Sequence, residues 1–180
     1  MIITISGLHG TGKSSVGKKI NKKLGYDYYS TGQAFRDLAK EHEMSLEEFS
    51  DYVENNPQID EKLDQKVIEL AEKGDIVIDS QLGGHLLQDI ADFKILLTAP
   101  LKIRVKRMSE RDGTQYEEKL KETKIREQSE YERFKELYEY DLRDREQLKR
   151  IYDLIISTEG ISIDEVVHRI MTILKKRTST

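Results

Sequence analysis

The chain has no cysteine. A disulfide framework and a thiolate metal site are therefore excluded, and a reducing compartment, the cytoplasm, is the expectation. Its four histidines, His9, His42, His85 and His168, form no H-x-x-x-H pair, which removes a common zinc spacing. No apolar run approaches the ~18 residues of a membrane span, and no basic n-region or cleavage site opens the chain, so neither a span nor a signal peptide is expected. Positive charge is not in excess. With a formal net charge of −4, neither nucleic acid nor an anionic membrane is an expected partner. The only prolines are Pro57 and Pro100, and no repeat or Gly-, Ser- or Pro-rich linker interrupts the sequence. All 180 residues are read as one domain, large enough to bury a real core, and a monomer is expected.

What is present is concentrated near the N-terminus. Gly7-Leu8-His9-Gly10-Thr11-Gly12-Lys13-Ser14 matches G-x-x-x-x-G-K-[ST] without a gap. The β-branched run Ile2-Ile3-Thr4-Ile5 before it reads as a buried strand, and Val16, Ile20 and Leu24 after it form one stripe of an amphipathic helix. Strand, glycine loop and helix are the three parts of a phosphate-binding loop. Glycines let successive N–H groups point into one concavity, and the helix N-terminus adds partial positive charge. Lys13 is expected at the β- and γ-phosphates and the Ser14 hydroxyl on Mg²⁺. The alternative is a glycine turn that binds nothing, and the context speaks for a nucleoside triphosphate site.

Strand and helix signals alternate along the rest of the chain, which predicts an α/β protein with a parallel sheet of about five strands. A second strand is read at Tyr26–Tyr29, a third at Ile76–Asp79, a fourth at Phe93–Leu97 and the last at Ile151–Ile156. Capping boxes are expected at Ser30 with Gln33, Ser45 with Glu48, Thr114 with Glu117 and Ser162 with Glu165; Pro57 and Pro100 open two further helices. Two extra helices before the third strand read as an insertion over residues 31–74. A second, charged insertion is read over residues 112–145.

Three constellations carry candidate chemistry. Asp79 closes a hydrophobic strand, where an open α/β sheet presents an acid beside its ligand, and it can hold Mg²⁺ through water; an acid that merely stops a strand is the alternative. Arg104, Arg107 and Arg111 follow Pro100, and Arg126 and Arg133 lie seven apart on one face of the charged helix. For the charged stretch as a whole a solvated face with ion pairs such as Glu122–Arg126 is the better reading, but these five arginines are expected at phosphate. Ser30-Thr31-Gly32-Gln33-Ala34-Phe35-Arg36 is either a second anion site at a helix start or a capped helix with a surface arginine.

In order and spacing these segments resemble the nucleoside monophosphate kinase family, and within it the archaeal type of cytidylate kinase. The resemblance spans nearly the whole chain: Gly7–Ser15, Ser30-Thr31-Gly32 through Arg36, Asn56-Pro57 with Ile59-Asp60, the strand to Asp79, Ala99-Pro100 through Arg111, Ile125-Arg126-Glu127 and Tyr152–Thr158. It implies a P-loop NTPase fold with an acceptor-binding insertion and an arginine-rich lid, and transfer of the γ-phosphoryl of ATP to CMP or dCMP. It gives Gly7 through Ser15 to ATP, Arg107 to the adenine ring, Ser30, Thr31 and Arg36 to the monophosphate, and Arg111, Arg126 and Arg133 to phosphate clamps. Where the family has Arg and Trp after the acidic strand, this chain has Gln81 and His85. Gln81 is neutral and able to read a base edge by paired hydrogen bonds. Gly83-Gly84 keeps a shikimate-kinase-like acceptor open beside adenylate- and gluconate-kinase-like ones, and a regulatory nucleotide-binding module is the alternative of a different class.

Overall fold

The computed structural model describes residues 1–178. Five strands form one sheet, β1 (Ile2–Ser6), β2 (Asp27–Ser30), β3 (Ile76–Asp79), β4 (Phe93–Thr98) and β5 (Leu154–Ser157), in the order β2-β3-β1-β4-β5 with every neighbouring pair parallel. The connection from β1 runs to one side and that into β4 to the other, so the order reverses at β1. A crevice opens at such a switch point, beyond the carboxyl ends of the strands. The register aligns Ile5 with Asp79 and Asp79 with Ser30, which brings the ends of β1, β3 and β2 to one level.

α1 (Lys13–Leu24) and α9 (Ile163–Thr178) cover one face, packing Val16, Ile20, Val166 and Ile170 on Ile3 and Ile5 of β1. On the other face Val67 and Ala71 of α4 (Gln58–Ala71) pack on Ile76 and Ile78. The helices between β2 and β3, namely α2 (Thr31–Glu41), α3 (Leu46–Glu54) and α4, bury a separate small core. Phe35, Phe49, Val53 and Leu63 form it, with the Phe35 and Phe49 rings edge-on at 4.8 Å. After β3 come a one-turn α5 (Gly83–Leu86), then α6 (Leu101–Asp112), the long α7 (Tyr116–Tyr138) and α8 (Arg145–Ile151).

Several local expectations need correction. Ser45 and Glu48 cap reciprocally, at 3.2 and 2.8 Å. At the other two serines only half of the box forms. Ser30 Oγ accepts from the Gln33 amide and Ser162 Oγ from the Glu165 amide, but Gln33 turns its side chain to Asp37 and Arg36, and Glu165 to Arg169. Thr114 caps nothing: its amide donates to Ser109 O in the turn at Gly113 that ends α6, and Gln115 precedes α7. α5 and α8 arise where no helix was expected, and Ile151 ends α8 rather than starting β5, which begins at Leu154.

Candidate active site

The loop between β1 and α1 takes a shape only glycine allows at two points. Gly7 has φ 144° and a Cβ there would lie 2.3 Å from Leu97 O; Gly10 has φ 76° and its Cβ would lie 2.6 Å from Arg104 O. The loop is thus pressed against β4 and α6. Gly12, left-handed at φ 97°, hands the chain into α1 at Lys13, and no acidic residue occupies the first turn. The positive helix end is therefore unopposed on its own helix. Lys13 Nζ donates to Leu8 O at 3.1 Å, folding back over the loop.

Above the strand ends lies a cavity of about 660 Å³. His9, Gly10, Thr11, Gly12, Lys13, Ser14 and Ser15 line it from the loop, and Ser30, Thr31 and Arg36 from α2 and its cap. Asp79 and Gln81 enter from β3, Arg107 and Arg111 from α6, and Arg126 and Arg133 from α7. Gly7 and Leu8 do not line it; their part is to shape the loop and to accept bonds from Lys13 and Thr11. Arg104 does not line it either. The fifth arginine of the expected set lies on the buried face of α6 beside Val105 and Met108, 4% exposed, paired with Glu127 and donating to Ala99 O and His9 O. It fastens α7 to the loop. His85 stands outside the cavity lining, its ring stacked on Tyr140 at 4.8 Å.

The register explains the acid. Asp79, 2% exposed, receives hydrogen bonds on Oδ2 from Ser14 Oγ at 2.5 Å, Tyr28 OH at 3.0 Å and Ser30 Oγ at 3.1 Å. Among the described residues no group of three or more His, Asp or Glu side chains is placed to hold a metal by itself. One serine hydroxyl and one carboxylate beside a phosphate loop nevertheless fit Mg²⁺, which keeps several waters and takes further ligands from phosphates.

Positive groups converge opposite. Burial and the nearby Arg111 and Arg126 push the Arg36 guanidinium below its ordinary range. Burial also lowers the Lys13 ammonium, against the attraction of Asp79 and Glu130. Arg111 is already paired with Asp112 at 2.6 Å and Arg126 with Glu130 at 2.9 Å, so the cations around the cavity are partly balanced, and Lys13 and Arg36 keep capacity for an anion. Glu130 of α7, 6% exposed, accepts from His9 Nε2 at 2.8 Å and from Arg126 Nε at 2.9 Å, joining α7 to the loop. Despite its burial, His9 and Arg126 hold its carboxyl well below the usual range. The expected Glu122–Arg126 pair does not form; Glu122 pairs with Lys119. Arg107 donates to Thr158 O and Thr158 Oγ1 at 2.7 and 2.9 Å, and Thr158 Oγ1 donates to Thr11 O.

The resemblance supplied Thr158 and Asp60 only as pattern positions, and Asp64, Glu130 and Tyr138 were not found from the sequence. Asp60 and Asp64 do carry a readable signal, since they lie four apart on α4 beside the apolar stripe of Ile59, Leu63 and Val67. Gly83 and Gly84 are explained by packing. A Cβ on Gly84 would sit 2.2 Å from the Tyr152 ring, and neither glycine lines the cavity.

Comparison with known proteins agrees with this architecture. Among solved structures, an uncharacterized protein from Eubacterium ventriosum superposes with a TM-score of 0.70 at 18% identity, covering 97% of this chain and 98% of that one. Shikimate kinase from Acinetobacter baumannii superposes with a TM-score of 0.60 at 14% identity, over 98% and 93% of the two chains. At these identities the likeness shows the fold, a P-loop NTPase α/β sheet, and no more. The sequence relatives say more. The cytidylate kinase of Ignicoccus hospitalis is 40% identical over 173 residues, 96% of this chain and 98% of that protein. The cytidylate kinase of Staphylothermus marinus is 38% identical over 176 residues, 98% and 97% of the two. The model of the cytidylate kinase-like family matches residues 2–160, and the chain belongs to that family.

Proposed function

We propose that this protein is an ATP-dependent cytidylate kinase, transferring the γ-phosphoryl of ATP to CMP or dCMP to give the diphosphate and ADP. The observation that carries the reading is the meeting of two helix N-termini, those of α1 and α2, across one cavity lined by Lys13, Arg36, Arg111 and Arg126. Two anion sites that face each other suit a donor phosphate chain and an acceptor phosphate.

In this reading residues 9–15 cradle the ATP phosphates, and Arg107, tied to Thr158, forms the wall for the adenine. Ser30, Thr31 and Arg36 take the acceptor phosphate; Thr31 Oγ1 is buried there without a hydrogen-bond partner in the protein. Ser14 and, through water, Asp79 would hold Mg²⁺, which would supply positive charge to neutralise the charge developing in the transfer. An acceptor phosphate oxygen forms the new bond to the γ-phosphorus as the bond to the β–γ bridging oxygen breaks. No protein base is needed, because the reaction is mostly positioning and charge stabilisation. Residues 31–74 serve as the acceptor-binding insertion. Residues 112–145 serve as the lid, excluding water when it closes. No helix among the described residues is long and apolar enough to cross a membrane. In this reading the protein acts as a monomer in the cytoplasm. ADP release coupled to each monophosphate in turn tests the reading: CMP-dependent release is expected, and acceptor-independent release would overturn it.

A further inference from the structure

The backbone of His9 belongs to the phosphate loop, but its ring has a separate attachment. Nε2 lies 2.9 and 2.8 Å from the two carboxylate oxygens of Glu130 on α7. The two side chains are 23% and 8% exposed, so little water competes for the contact. The carbonyl of the same residue accepts from Arg104 Nη1 at 3.0 Å, and Arg104 Nη2 donates to Glu127 Oε2 at 3.1 Å. Glu127 and Glu130 are three apart and neighbours on α7. One loop residue is therefore held twice by one helix, at its carbonyl by way of Arg104 and directly at its ring.

Its partner fixes where the ring carries its proton. Burial raises the Glu130 carboxyl, but His9 and Arg126 hold it well below its usual range, so it is a carboxylate and only accepts. Burial lowers the His9 ring more than Glu130 raises it, so near neutral pH the ring is uncharged. An uncharged imidazole has one N–H, and facing a carboxylate that proton sits on Nε2. Glu130 is shared, because its Oε1 also accepts from Arg126 Nε at 2.9 Å. Arg126 lines the cavity, and its Cζ stands 5.9 Å from the Phe35 ring of α2. It therefore lies between the donor loop, reached through Glu130 and His9, and the acceptor helix.

A carboxylate beside an arginine ordinarily takes the guanidinium by two parallel bonds, which would consume the fork that phosphate needs. Here the carboxylate is engaged from the other side by His9, and it meets Arg126 through Nε. Nη1 and Nη2 are left for a ligand in the cavity. We propose that the ring of His9 is a positioning residue for the transfer: its Nε2–H holds the Glu130 carboxylate, and Glu130 in turn holds the Arg126 guanidinium with its terminal nitrogens toward the phosphates. The loop that cradles the donor then also sets the cation that meets the charge as it moves. The inference rests on the phosphotransfer reading above, with Arg126 at phosphate.

His9→Leu removes the donor, whereas His9→Gln puts an amide N–H where Nε2 stood. With each substrate varied, His9→Leu should lower kcat about 10- to 100-fold, the weight of one misplaced charged contact. KM for ATP and for CMP should each move less than about threefold, because the ring acts through Glu130 and Arg126 and not on either substrate. His9→Gln should recover most of the lost kcat. In a cycle with Glu130→Gln, the double variant should be no slower than the slower single variant, since both changes act on one cation. Losses that multiply in the double variant, a KM for ATP that rises in step with the loss, a His9→Leu kcat within about twofold of wild type, or a His9→Gln no faster than His9→Leu each overturn the proposal. If His9→Leu does not fold, Glu130→Gln keeps the shape and should lose kcat over the same range with both KM values held, and a kcat near wild type is then the refuting result. A wild-type protein that releases no ADP with any monophosphate overturns instead the phosphotransfer reading beneath, which separates the two failures.

Discussion

Lys13→Met separates what the fold needs from what the reaction needs. The Lys13 ammonium makes one hydrogen bond, to Leu8 O, and burial holds its pKa below the ordinary value of 10.5. Methionine keeps the stem and removes the desolvated charge. Leu8 O is not orphaned, because Thr11 still donates to it from Oγ1 at 2.8 Å. Losing one hydrogen bond while relieving one buried charge should leave stability within about 1 kcal/mol of wild type. Turnover should respond very differently. Removing one preorganised cation from the site of charge development costs about 2.7–4 kcal/mol, so kcat should fall about 10²- to 10³-fold. The pH dependence carries its own sign. A lysine with a lowered folded pKa binds fewer protons folded than unfolded between that value and 10.5, so it makes stability rise with pH across that window. The variant should lose that rise. Coupled ADP release gives kcat, and thermal unfolding at several alkaline pH values gives the linkage. A kcat within a few-fold of wild type, or a stability loss of several kcal/mol, would refute the placement of Lys13 at the phosphates.

Arg36→Ala should raise KM for CMP more than KM for ATP, because Arg36 leaves α2 on the acceptor side, hydrogen-bonded to Gln33; steady-state kinetics with each substrate varied decides it. Gly84→Ala should lower stability by about 1–3 kcal/mol by overpacking. Its new methyl meets the Tyr152 ring, which is pinned by a 2.8 Å bond to Tyr140 OH, and acceptor preference should not change; denaturant unfolding and an acceptor screen check both halves.

The elements that carry strong periodicity were legible before the structure. Ile2–Ile5, the glycine loop and the stripe of Val16, Ile20 and Leu24 predict strand, loop and helix, and β1 and α1 occupy those places. Short elements were not. α5 begins on two glycines, which are poor helix formers, and α8 is seven mostly polar residues that merge with the charged stretch before it. Thr114 has the composition of a cap, yet the glycine turn ending α6 takes its amide first. The arginines show where composition runs out. Arg104 and Arg107 look alike in sequence, but three residues at about 100° each leave them about 60° apart around the helix axis. Arg104 is buried on Glu127 while Arg107 lines the cavity. Asp60, Asp64 and Arg133 meet only because α4 packs beside α7, a tertiary fact that spacing within either helix does not contain.

The central claim is that the cavity joins a triphosphate donor to a cytidine monophosphate acceptor, and one experiment addresses it most directly. ADP release is followed with ATP and Mg²⁺ against CMP, dCMP, UMP, AMP and shikimate in parallel, comparing kcat/KM. CMP should be the best acceptor, with dCMP near it and UMP well below. A protein that releases most ADP with AMP or shikimate, or releases ADP at the same rate with no acceptor, would contradict the account.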